Sequence, residues 1–398
     1  MHRLSIILIL LLCIAAFAPI EGQTILSSRG VGSPVAFPNA RAMGMGGISV
    51  AVTNPISFSL TNPASMHKIR STRLVLQYFY EHNDYEASEG TASSSYSNFN
   101  GFHFFVPLGS GIGLATGLSP LTRTRFDLAY DDSLAGEHYT KSIEGRGGVN
   151  SFSLAICISL RSNLSIGVSG QYLFGQLKES WQVIYDNPYF IRSKDTFSTK
   201  SSGFNYKLGI IYQPFTPILL GAIWSPEKTL DYSTQVAYFF ENAGSHDGTA
   251  TLPETWGAGI TFITKKFGEL GFEFQCNNWS KTTLNGIQNP ETHSTQHFSV
   301  GWELNPTRNP AEMYFKRIAY RLGFSTHPYH VRDLQGNKIT ETWISAGLGF
   351  PMMANASQVD VALLAGQRGS FETNGLGERL FRISVTITGG ERWFMRRY

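Results

Sequence analysis

From Arg73 onward, apolar residues recur at every second position in one segment after another. "RLVLQYFYEH" (73–82), "NSFSLAICISL" (150–160), "LSIGVSGQYLF" (164–174) and "FRISVTIT" (381–388) all alternate. A period of two puts one set of side chains on one face of a strand and the other set on the opposite face. No segment offers a sustained apolar stripe at the 3.6-residue helical period, so helix is a minor component. About fourteen strands are predicted, over 73–83, 96–108, 111–130, 147–160, 163–185, 190–213, 217–240, 250–263, 267–280, 293–304, 315–328, 339–350, 357–369 and 378–388.

The connections between these segments alternate in length. "LGSG" (108–111), "RSN" (161–163), "QPFTP" (213–217) and "TKKFG" (264–268) are short. "YEASEGTASSS" (85–95), "DDSLAGEHYTKSIEGRG" (131–147), "ENAGSHDGT" (241–249) and "KTTLNGIQNPETH" (281–293) are longer and polar; the 186–189 connection is a short exception. Tight turns on one side and long loops on the other, with an even strand count, match an outer-membrane barrel. In lipid the sheet must close, because an open edge leaves backbone groups unpaired. A soluble propeller would show a blade-length repeat, which is absent. Strands above 20 residues exceed the usual soluble length. Charged residues are only 15% and aromatics reach 13%, as suits strands that face lipid. The expected fold is all-β: a transmembrane antiparallel β-barrel of about 14 strands over residues 73–390, located in the outer membrane.

The first 22 residues read as a signal peptide: Arg3, then the apolar run "SIILILLLCIAAF", then small and turn-forming residues. Cys13 lacks the small residues a lipoprotein cysteine needs before it. Cys157 and Cys276 remain, too few for a disulfide framework. The net charge of +3 does not imply nucleic acid.

Candidate chemistry is sparse. His327 and His330 are three apart, and His293 and His297 four apart; on strands or loops neither spacing demands a metal, so these are expected at loops or strand ends. "GSHDG" (244–248) has triad letters, but neighbours in sequence cannot form a triad, and no nucleophile elbow is visible. Neither enzyme activity, metal nor cofactor is expected. Trp181, Trp224, Trp256, Trp279, Trp302 and Trp343 fall near strand ends and read as an interfacial girdle, with ligand stacking in the lumen as the alternative. The basic, aromatic tail 391–398 follows the last strand, whose Phe381, Ile383, Val385 and Ile387 share one face and suit a signal for barrel assembly.

Two stretches break the pattern. "ARAMGMGGISVAVTNP…LTNPASM" (40–66) concentrates glycine and ends in an Asn-Pro turn. "MGMGGI" lacks a dinucleotide fingerprint and any βαβ context. In the third strand, Gly117 precedes Pro120, and proline removes a ladder donor from a sheet that should have no edge. A local break in pairing is expected there, or an ordinary bulge.

The 40–66 stretch, with Asn62, Pro63 and Ala64 at the turn, resembles the start of mature FadL-type outer-membrane long-chain fatty acid transporters. "FEFQCNNWS" (272–280), "YRLGFS" (320–325), "GLGFP" (347–351), "GQRG" (366–369) and "RWF" (392–394) resemble a poorly characterised branch of that family. The resemblance implies that residues 23–72 form a plug inside the barrel; a periplasmic linker is the alternative. Gly44, Gly46 and Gly47 would let its backbone approach the wall. It also implies an inward kink and lateral opening at Gly117 and Pro120. The implied function is passive uptake of hydrophobic small molecules such as long-chain fatty acids, exiting sideways into the outer leaflet. Outer-membrane lipids and the barrel-assembly machinery are the other implied partners, with a monomer expected. FadL-like barrels also include shuttle subunits that hold secreted proteins at the surface, as in the type IX secretion system; a scaffold role is therefore the alternative.

Overall fold

The computed structural model describes residues 24–28, 32–35, 39–88, 90–109, 111–134, 136–304, 306–307, 309, 311–333, 335–352 and 356–391. The signal peptide and nearly all of the basic tail, with its "RWF", lie outside the described residues.

The chain forms a closed antiparallel barrel of fourteen strands. They are β1 Thr72–Ala87, β2 Gly90–Gly109, β3 Ile112–Pro120 and Thr122–Leu134, β4 Glu137–Arg161, β5 Leu164–Tyr185 and β6 Ser193–Phe215. β7 is Ile218–Ser225 and Lys228–Ala237, and β8 is Asn242–Leu252 and Thr255–Thr264. β9 Gly268–Asn277, β10 Thr295–Leu304, β11 Ala319–Arg332, β12 Lys338–Met352, β13 Ser357–Arg368 and β14 Leu376–Glu391 complete the wall. β14 closes on β1, from Thr72↔Glu391 to Ala87↔Leu376.

The three two-part strands break beside Pro120, Pro226 and Pro253. The cause is common: proline brings no N–H to the ladder.

Side chains alternate in the sense a membrane barrel requires. On β4, Leu154, Ile156 and Ile158 point outward and are exposed, whereas Ser151, Ser153, Ala155 and Cys157 are buried toward the lumen. β14 does the same: Phe381 is outside, while Leu380, Ser384, Thr386 and Thr388 are buried.

The outer hairpins correct the loops expected from polarity. "YEASEGTASSS" is mostly strand, because β1 and β2 stay paired up to Ala87↔Gly90. "DDSLAGEHYTKSIEGRG" is likewise mostly strand, paired up to Leu134↔Glu137. Beyond the bilayer both faces of a strand meet water, so the alternation fades while the ladder continues. The 281–293 connection is a true excursion, with a ribbon of Thr283–Leu284 and Ile287–Gln288 folded back onto Ala250 of β8.

Candidate functional site

Residues 39–69 run across the lumen. Helix α1 (Ala40–Gly44) is capped by Asn39, whose Oδ1 accepts from the Ala42 N–H at 2.8 Å. The side chains and carbonyls that receive the segment come from strands on opposite sides of the barrel. Ala40 N–H donates to Thr386 Oγ1 on β14, and Gly46 N–H donates to Ser345 Oγ on β12. Ser49 and Val50 N–H both donate to Glu273 Oε2 on β9, each at 2.7 Å. Asn62 Nδ2 donates to Ile210 O on β6 at 3.1 Å and to Val50 O at 2.7 Å. Asn62 Oδ1 caps the 3-10 turn Pro63–Lys68 by accepting from Ala64 N–H.

The glycines do what close approach demands. Gly46 has φ +67°, and a Cβ there would lie 2.6 Å from Phe324 O and 2.8 Å from Val300 O. Gly44 abuts the backbone of Gly347, where a Cβ would stand 2.9 Å from its Cα. Pro63 and Ala64 lie against the backbone of Gly167 on β5. Gly47 also has a positive φ, +93°.

Charge fixes the segment in place. The guanidinium of Arg41 donates to both oxygens of Glu303, Nε at 3.0 Å and Nη2 at 3.0 Å. Glu303 also accepts from Arg321 Nε at 2.5 Å, and Arg321 Nη1 reaches Asp360 Oδ1 at 2.7 Å. Arg41, Glu303, Arg321 and Asp360 are all buried. Nearer the outer end, Arg368 joins Glu341 at 2.5 Å and Glu378 at 2.6 Å. Arg382 pairs with Glu81, which also accepts from Tyr96 Oη at 2.9 Å. Charges taken out of water need such complete pairing.

Residues 24–28 and 32–35 lie in the outer half of the lumen. Thr24 Oγ1 donates to Glu378 at 2.5 Å, and Ser33 Oγ lies 2.5 Å from Tyr329 Oη. Leu26 packs with Tyr329, Val331 and Ile339. On the other side the segment adds to β3. Ser33 and Pro34 pair with Arg123 and Thr122, and Val35 N–H donates to Leu121 O at 3.0 Å.

That edge is open to pairing because the wall is interrupted. The β2–β3 ladder ends at Phe102↔Leu118, although β2 runs on with β1 to Gly90. On its other side β3 stays joined to β4, through Pro120↔Asn150 and from Thr124↔Gly147 upward. Pro120 thus sits at the break. Gly117 sits below it, in unbroken ladders with His103 and Ser153. Its missing Cβ makes room for the His103 ring and Leu60.

Between the two lumen segments lies a cavity of about 340 Å³ that reaches Pro120. Lys207, Lys228, Glu273, His103, His327 and Arg382 contribute to its wall. Of the four histidines expected at loops or strand ends, His293 lies in a loop, His297 and His330 each lie third from a strand end, and His327 lies further in. His327 and His330 lie on β11 and are turned inward, and His297 on β10 meets His327 with their Nδ1 atoms 2.6 Å apart. His293 alone lies outside the strands, where burial lowers its pKa to about 4. Among the described residues no group of three or more His, Cys, Asp or Glu could hold a metal. The girdle is corrected at two positions. Trp343 is buried, donating to Glu341 Oε1 at 2.5 Å, and Trp279 is buried against His330, while Trp181, Trp224 and Trp256 are exposed. Cys157 is a small inward wall residue whose thiol lies 3.5 Å from Ala64 O.

The lumen network escaped the sequence because its members are far apart in the chain: Arg41 and Glu303 are 262 residues from each other. The available signal was charge on strands, as in "YRLGF" and "VGWELN", where one face should be lipid or lumen.

The family model of BamG matches residues 1–398, the whole chain. The chain belongs to the BamG family. No curated protein matches its sequence. Solved structures share the fold at low identity. The toluene transporter TbuX of Ralstonia pickettii is 13% identical, with 89% of this chain and 98% of that one covered, at a TM-score of 0.61. A Pseudomonas aeruginosa FadL homologue is 13% identical, with 90% and 99% covered, at 0.62. The toluene transporter TodX of Pseudomonas putida is 13% identical, with 90% and 99% covered, at 0.60. This BamG-family chain is therefore an outer-membrane, multi-pass β-barrel of the FadL fold. Its neighbours are channels and transporters, not enzymes.

Proposed function

We propose that this BamG-family barrel acts as an accessory subunit of the barrel-assembly machinery, a membrane-embedded scaffold on which other proteins dock, with its lumen plugged by residues 39–69. The observation that carries this reading is the filled lumen. Arg41 is buried in bidentate contact with Glu303, which is itself joined to Arg321. Removing one partner of such a pair costs about 3–5 kcal/mol, so the segment does not leave easily. The remaining cavity sets Lys207, Lys228 and Glu273 among apolar residues such as Leu60, Phe79 and Leu252, and a fully apolar cargo would leave those three charges desolvated. The family name itself supports a place in barrel assembly.

A second reading is favoured by the interrupted wall. Passive uptake of hydrophobic molecules such as long-chain fatty acids, with lateral exit beside Pro120, fits the end of the β2–β3 ladder at Leu118. Solved neighbours titled toluene transporters support it. Residues 24–35 would then have to leave the β3 edge.

The experiment is to deplete the chain and measure two quantities: the folded fraction of other outer-membrane barrels, by heat-modifiability, and uptake of a labelled fatty acid. A drop in folded barrels with unchanged uptake supports the scaffold. Unchanged barrels with lost uptake replaces it with the transporter.

A further inference from the structure

The outer face of the wall carries a basic row just above its aromatic band. On β4 and β5, residues with even numbers point outward, as the exposed Phe152, Leu154, Val168 and Tyr172 demonstrate. The same register, unbroken from Ser159↔Ser165 to Tyr139↔Tyr185, sets Arg146 directly opposite Lys178. Both are exposed. On β6, whose outward residues include Phe204 and Tyr206, Lys200 is exposed and lies opposite Gln176, one step along β5 from Lys178. On β3, Arg125 lies opposite Arg146; it is outward because its neighbour Phe126 is buried and fills the space over Gly145. Like charges directly opposite on neighbouring strands destabilise a sheet. Here three strands in succession present such cations. The outward acids nearby are Glu144, 3.6 Å from Arg146, Asp127, opposite Glu144 and two residues from Arg125, and Asp231, opposite Ser202.

Below the row is a cluster of rings. Tyr172 packs on Phe174 and Phe204, with centroids 5.8 and 5.1 Å away. Aromatic rings of this kind mark the membrane interface. Lys178 and Lys200 each stand four residues above a ring, Phe174 and Phe204. At a strand tilt near 40° that is about 10 Å of height. Long cationic side chains there reach the head-group layer by extending toward it.

We infer that Arg146, Lys178 and Lys200, with Arg125 beside them, form a binding site for the phosphorylated head group of an outer-leaflet glycolipid of the lipid A type. The phosphates relieve the repulsion along the row, and the acyl chains lie against Phe152, Leu154 and Val168. The site is on the lipid side of the wall and is independent of what the lumen does.

The test is native mass spectrometry of the full folded barrel in mild detergent, titrated separately with bisphosphorylated lipid A, phosphatidylglycerol and inorganic phosphate. Lipid A is expected to be retained in preference to both others. Each of Arg146→Gln, Lys178→Gln and Lys200→Gln should lower its retention about fivefold. Glu144→Gln, which removes a competing acid, should raise it. Heat-modifiability verifies folding; should a combined variant fail to fold, the single variants decide. Retention unchanged by the three substitutions, or equal for phosphatidylglycerol, would overturn the site.

Discussion

Arg321 shows how single residues close this molecule. Its guanidinium sits between Glu303 and Asp360, and all three are buried. Glu303→Gln leaves Arg41 and Arg321 without their shared carboxylate. The expected loss is about 3–5 kcal/mol, read as a lower urea midpoint for the heat-modifiable folded form. Glu312→Gln, at an exposed pair on a loop, should leave the midpoint almost unchanged. Gly46→Val should be equally harmful for a steric reason, since the carbonyl of Phe324 occupies the place of its Cβ. Among these residues the glycines and the Asn62 turn could be singled out in the sequence, because small size and turn chemistry are local properties. The ion pairs could not, because a strand charge becomes meaningful only when the barrel brings its partner across the lumen.

Among the elements, the strands were legible where lipid imposes alternation. Every segment from 73 to 388 that alternates lies in a wall strand. Legibility failed at the outer hairpins, where water on both faces removes the pattern but not the hydrogen bonds. The pairing of Ser33 and Pro34 with the β3 edge carries few side-chain signals and was not legible either. Two predictions belong here. In hydrogen exchange, amides of β2 between Gly90 and Asn100 should exchange faster on average than those of β5, because β5 is paired along both edges. And cysteines placed by Ser33→Cys and Arg123→Cys should form a disulfide in the folded barrel, since the two positions face each other in register. Failure to crosslink under mild oxidation would mean that the segment does not hold this edge.

At the scale of the whole molecule, residues 39–69 and three charge clusters lie inside the barrel wall. Planar-bilayer recordings of the intact chain should therefore show little conductance, and a variant lacking residues 24–69 should show steady, larger steps. The fold class and strand number were legible from periodicity alone. What the barrel does was not, since scaffold and transporter share a wall and differ in what fills and surrounds it. The most direct test is crosslinking mass spectrometry on intact outer membranes, with the chain purified at native abundance. The scaffold account predicts near-stoichiometric crosslinks to components of the barrel-assembly machinery and no bound lipophile in the lumen. A solitary barrel carrying a stoichiometric hydrophobic ligand between residues 24–35 and 39–69 would contradict it.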